Sequence, residues 1–148
     1  MSLWDWTLEA YGQAGVPEAT LALQDAHGQN TSFLLWAVWA EGPDASALSQ
    51  AAAAAKAWDA AVLVQIRDVR RTLKAPMPPV DDRAREGLRE DVKAAELRAE
   101  RVLMETLEAI APASSGGHGA LAALQAASAA WGKAAPDDAL AVLARALT

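Results

Sequence analysis

Four cations stand at helical spacing near the middle of the chain: Arg67, Arg70, Arg71 and Lys74. On a helix, residues three and four apart lie one above another, so these side chains form a stripe. Several guanidinium groups on one face can hold a phosphate or carboxylate through paired hydrogen bonds. The competing account is structural. Cations near a helix C-terminus complement the macrodipole and pair with acids of the following helix, Glu96 and Glu100 among them. Those two acids are four residues apart, so both carboxylates share a face. Paired carboxylates in a bundle can bind metal ions, but the ferritin-like arrangement needs Glu-x-x-His repeats, and neither His27 nor His118 falls in one. Acid/base work by Glu96 and Glu100 would require burial to separate their pKa values; salt bridging to the arginines is the plainer account.

Other residue groups carry weaker chemistry. Gln24, Asp25, His27 and Asn30 form a polar cluster around a turn. Asp25 could orient His27 for catalysis or metal binding, yet two ligands do not complete a zinc site, and capping and turn chemistry accounts for Asp25 to Asn30. The run from Ser114 to Gly119 resembles a phosphate cradle but lacks the G-x-x-x-x-G-K-[ST] spacing and a preceding strand, so it reads as a linker. The tryptophans Trp4, Trp6, Trp36, Trp39 and Trp58 could line a pocket for a flat or apolar ligand. Aromatics at helical spacing more commonly form core, and a buried indole N–H needs a partner, which Asn30, Gln24 or Asp5 could supply.

Composition narrows the classes. The chain has 148 residues, long enough for one domain with a real core, and 53% of them are hydrophobic. Much of that fraction is alanine, the best helix former, and β-branched residues are few. With no cysteine, disulfides, thiolate metal sites and a cysteine nucleophile are excluded. Residues 1–60 carry seven acids against Lys56 alone. An acidic half of that kind argues against nucleic-acid binding, which wants a basic footprint. The start lacks the basic and apolar regions of a signal peptide. The run Phe33 to Ala40 is too short to span a bilayer.

Helices must position these residues. Ser2 caps a first helix to about Gln13, with Trp4, Leu8 and Tyr11 on one face. Pro17 opens a second, through about Ala26, and Gly28 stops it. Phe33 to Glu41 is apolar on every side and could be a buried strand by periodicity alone; helical neighbours favour helix. Asp44 or Ser46 starts a long helix to Leu73 or Lys74, with the stripe Ala55, Trp58, Val62, Ile66, Val69, Leu73. Ala75 to Pro79 is a break. Asp81 or Asp82 opens another long helix to about Ala111, with the stripe Leu88, Val92, Ala95, Ala99, Val102, Thr106, Ile110. The pairs Glu86/Arg89, Glu90/Lys93 and Arg101/Glu105 give its outer face alternating charge, worth about 0.2–0.5 kcal/mol each. The expected organisation is a helical core at 1–111, a flexible linker at 112–119 and a C-terminal extension at 120–148. That extension carries helices near Ala120 to Trp131 and Pro136 to Leu147 and docks on the core. The fold class is all-α, an irregular bundle of about five core helices plus two short ones.

Several segments recur together: Leu3-Trp-Asp-Trp6, Gly15-Val-Pro17, Leu21 to Asp25, Asn30 with Leu34-Leu35-Trp36, Arg67 to Lys74, and Glu96 to Glu100. In this order they resemble a proteobacterial family of small helical proteins, a domain of unknown function, over about residues 3–110. Gln65 and Ile66 depart from the family pattern, in which a proline and a leucine precede the first arginine. The resemblance implies a helical fold and a bacterial cytoplasmic setting, and it carries no activity. The functional expectation is therefore a non-catalytic interaction or regulatory module without cofactor, with a protein partner. The alternative is a protein that binds a small anionic ligand with Arg67, Arg70, Arg71 and Lys74 beside a pocket walled by Trp36 and Trp39. A third reading is an acid/base enzyme using Glu96, Glu100 or His27.

Overall fold

A computed structural model describes residues 1–110 and 117–148. Local chemistry sets the helix ends. Helix α1 (Leu3–Tyr11) begins at Ser2, whose Oγ accepts from the Asp5 amide at 3.1 Å and donates to the Asp5 carboxylate at 2.8 Å. Helix α2 (Val16–His27) carries Pro17 in its first turn and closes on Gly28 in the left-handed conformation. The Gly28 and Gln29 amides donate back to Gln24 and Leu23 carbonyls, the Schellman pattern. Asn30 then caps α3 (Thr31–Trp39), accepting from the Phe33 amide at 2.9 Å.

Helix α3 is the axis of the molecule. All of its residues but Val38 are buried, which explains why its sequence has no polar face. The choice between strand and helix is settled: among the described residues there is no strand, and the all-α expectation holds. Phe33 stacks on Trp36 at 5.7 Å between ring centroids and meets Trp131 at 5.9 Å.

The next rod differs from its expected pattern. Helix α4 (Ala45–Trp58), capped by the Asp44 carboxylate, runs into a π-helical turn at Asp59–Leu63 and continues as α5 (Val64–Thr72). A π turn adds one residue to the helical repeat, so every later side chain is rotated by about 100° from its α-helical position. The stripe read at spacings of three and four therefore weakens beyond Trp58: Val62 and Ile66 still pack against the core and Leu73 is buried, but Val69 leaves it. Leu63 and Arg67 face inward, Val62 and Ile66 are half-buried, and Val69 is 48% exposed.

Helix α6 (Asp82–Ile110) is the longest. It buries Ala99, Leu103, Met104 and Leu107, a face offset from the expected Val102, Thr106 and Ile110. Between Asp82 and Arg98 it buries Arg85 alone. Arg85 ties the α5–α6 hairpin together: its guanidinium donates to the Leu73 carbonyl at the end of α5 and to the Asp82 and Glu86 carboxylates.

Helices α7 (Ala120–Trp131) and α8 (Asp137–Ala146) share the hydrophobic core, contributing Leu124, Ala127, Leu140 and Leu143. A polar latch adds specificity: the Ser128 hydroxyl donates to the Gln29 side-chain carbonyl at 2.9 Å and accepts from the Ala135 amide at 2.8 Å. Most of the segment read as a linker, 112–119, lies outside the described residues; at its end, the His118 amide donates to the Glu41 carbonyl at 2.9 Å. No helix among the described residues is long and apolar enough to cross a membrane.

Candidate functional site

Among the described residues the arginine stripe resolves into three different ion pairs, and Lys74 joins none of them. Arg67 lies nine-tenths buried, with Nη1 3.5 Å from Asp59. Its inward position follows from the π turn, and Asp59, the first residue of that turn, is held by the Asn30 side-chain amide at 3.2 Å. The Nε–H of Arg67 is buried and has no hydrogen-bond partner among the described residues. Arg70 Nε donates to both oxygens of Glu96, at 3.0 and 2.7 Å. Arg71 reaches Asp25 on α2 at 3.5 Å, with both side chains about half exposed. Lys74 is exposed and makes no ion pair among the described residues.

Glu100 sits one turn beyond Glu96 and is the most perturbed acid of the site. Burial, then repulsion from Glu96, push its carboxyl up to about 7, against the opposing pull of Arg67 and Arg70. Tyr11 borders the same region from α1, with 37% of its surface exposed. Burial raises its phenol, hydrogen bonding with Thr20 and Thr31 works against that, and Glu100 adds a small upward push. Thus α1, α2, α3, α5 and α6 all send polar groups toward one region.

Two openings flank α5 on either side of this cluster. One, of about 240 Å³, lies between α2 and α5 and is lined by Gln24, Asp25, Val64, Arg67, Asp68 and Arg71. The other, of about 290 Å³, is wholly apolar in its named side chains apart from Gln65, with Ile66, Val69, Val92 and Ala95. A shallow depression of about 550 Å³ joins Arg70 to Glu96, Leu97 and Glu100 on α6.

The polar cluster expected around the second turn divides. Gln24 and Asp25 face α5, while Asn30 turns inward to Asp59. His27 lies on the other side of α2, in a cleft with Pro136, Asp138 and Arg145 of the C-terminal region. Nor do the tryptophans wall the arginine cleft. Trp36 is fully buried and Trp39 nearly so, and neither lines the openings beside α5. Indole partners are backbone carbonyls instead of the expected side chains: Trp39 donates to Met1, Trp58 to Ala99 and Trp131 to Gly28. The Trp36 N–H has none among the described residues. Among those residues, no three acidic or histidine side chains converge as a metal site would require.

Sequence reasoning passed over Asp59, Tyr11 and Arg85 as site or clasp residues. Asp59 carried one usable signal, a charge set between Trp58 and Val62 on the stripe read as buried.

The molecule is thus a helical bundle with a cluster of charged side chains where α5 packs on α6 and where Asp25 of α2 reaches Arg71. The chain belongs to the family described as protein of unknown function (DUF2390), which matches residues 2–107. That span agrees closely with the one on which the resemblance rests. No curated protein and no solved structure matches the chain.

Proposed function

We propose that this protein is a non-catalytic interaction or regulatory module of the bacterial cytoplasm that engages a protein partner across α5. The observation that carries the reading is the unusual packing of α5: of its nine residues only Arg67 is buried. Val64 and Val69 are 41% and 48% exposed, and Val69 lines the apolar groove against Val92 and Ala95. Leu88, farther along α6, is also 52% exposed. A neighbouring apolar groove and charged cleft give a partner both burial and polar register, the usual anatomy of a protein interface. The bacterial and cytoplasmic setting rests on the family resemblance alone.

The test is a charge placed in the groove. In complexes recovered from cells that make the protein, Val69→Asp is expected to remove a discrete partner that wild type retains, with the circular dichroism and melting of the free chain unchanged. Retention of the same partner by Val69→Asp overturns the reading.

The alternative of a simple anion held by the arginine stripe is weakened by the carboxylate already beside Arg67, Arg70 and Arg71. Acid/base chemistry has one specific point in its favour, the Glu100 carboxyl near neutrality. Perturbed acids also occur in structural ion-pair networks, and this one lies beside Glu96, Arg67 and Arg70.

A further inference from the structure

The cleft between α2 and α5 holds an unusual combination of uncommitted polar groups. Arg67 is nine-tenths buried, lines this cleft and keeps an Nε–H without a partner among the described residues. A guanidinium donor left unsatisfied inside a protein costs more than an average hydrogen bond contributes, and the side chain that carries it borders the cleft. Its one ion-pair contact, Nη1 to Asp59 at 3.5 Å, is long for a charge-assisted bond and leaves donor capacity spare. Arg71 and Asp25 across the cleft are likewise 3.5 Å apart and half exposed, a loose pair that an incoming ligand can divide. The Gln24 amide and the Asp68 carboxylate also line the cleft, and neither side chain makes a hydrogen bond or ion pair among the described residues.

Charge and size together narrow the occupant. The lining holds two guanidinium groups, Arg67 and Arg71, and two carboxylates, Asp25 and Asp68. A bare phosphate or carboxylate meets repulsion from the two acids, and a bare amine meets it from the two arginines. A molecule with a carboxylate at one end and an ammonium at the other matches both pairs. The volume of about 240 Å³ falls below the range of roughly 300–1,000 Å³ usual for drug-sized ligands, so the occupant is small.

We infer that the α2–α5 cleft is a binding site for a small zwitterion, an α-amino acid being the simplest member of that class. The carboxylate is received by the Arg67 and Arg71 guanidinium groups, the ammonium by Asp68 and Asp25, and the Gln24 amide serves either end. The inference stands apart from the α5 partner groove and does not depend on it.

Thermal melting of the full chain tests it, with each proteinogenic L-amino acid supplied singly, and with acetate and methylamine as the two half-ligands. At ligand roughly ten times its Kd, a Tm rise of about 3 °C is expected. At least one amino acid should raise Tm saturably while neither half-ligand does so at the same concentration. Gln24→Ala and Asp68→Asn alter groups that are not in the core, so both variants should keep the melting profile of the free protein and lose the ligand-induced rise. The inference is overturned if no amino acid raises Tm, if acetate alone reproduces the rise, or if the rise survives in both variants.

Discussion

At the scale of single residues, Glu100 and Arg85 make the sharpest statements. The folded protein holds the Glu100 carboxyl near 7 against an ordinary value of 4.5, so the native state binds this proton more readily than the unfolded chain. Its contribution to stability is complete below the unfolded value and is lost as pH rises through the folded one. Glu100→Gln, neutral at every pH, should therefore match wild type near about pH 4.5 and be more stable above about pH 7, by on the order of 2 kcal/mol. Urea unfolding across that range measures the difference; a difference independent of pH would contradict the assignment. Arg85 acts differently. It is 4% exposed and closes the α5 C-terminus by donating to the Leu73 carbonyl while paired to Asp82 and Glu86. Replacement with Ala leaves a carbonyl unsatisfied and two acids without their cation, and should lower the midpoint of denaturant unfolding.

The element scale separates what the sequence discloses from what it conceals. Helix starts were legible because capping chemistry is local: Ser2, Asn30 and Asp44 each accept from an amide three residues on. The breaks at Gly28 and at Ala75 to Pro79 were legible for the same reason. The arginine–glutamate meeting was anticipated too, since Arg70 and Glu96 lie on consecutive helices. The π turn at Asp59–Leu63 was not legible, because it adds a residue without any glycine or proline to announce it. Its effect is large: it carries Arg67 inward and leaves Val69 outward, which creates both openings beside α5. Deleting Ala60 removes the extra residue of the turn, so the rod should run on as α-helix with Arg67 and Leu63 still on their buried face. Denaturant unfolding should find this variant close to wild type, and a loss of more than about 2 kcal/mol, as for a broken buried ion pair, would show that Arg67 had left its place. For the tryptophans the commoner reading, core, fits the burial of Trp36 and Trp39, while helical spacing alone left the pocket wall open as the alternative because it says nothing of what covers α3.

For the whole molecule, the family match ends at residue 107 while the hydrophobic core continues into α7 and α8. Leu124, Leu140 and Leu143 are at most 1% exposed, and Phe33 of α3 stacks toward Trp131 of α7. A chain cut after Ile110 would uncover α3, the most apolar helix, and should lose its cooperative thermal transition and bind hydrophobic dyes; a sharp two-state melt of residues 1–110 would contradict this. The same view of the surface sets α5 apart as the helix with one buried residue in a molecule otherwise built on shared apolar faces. That contrast underlies the claim that α5 is a recognition surface. Site-specific photo-crosslinking tests it most directly, with the probe placed in cells at Val69 or at Val142, an equally exposed valine on α8. A discrete adduct at position 69 and none at position 142 is the predicted result; adducts alike at both positions, or at neither, would contradict it.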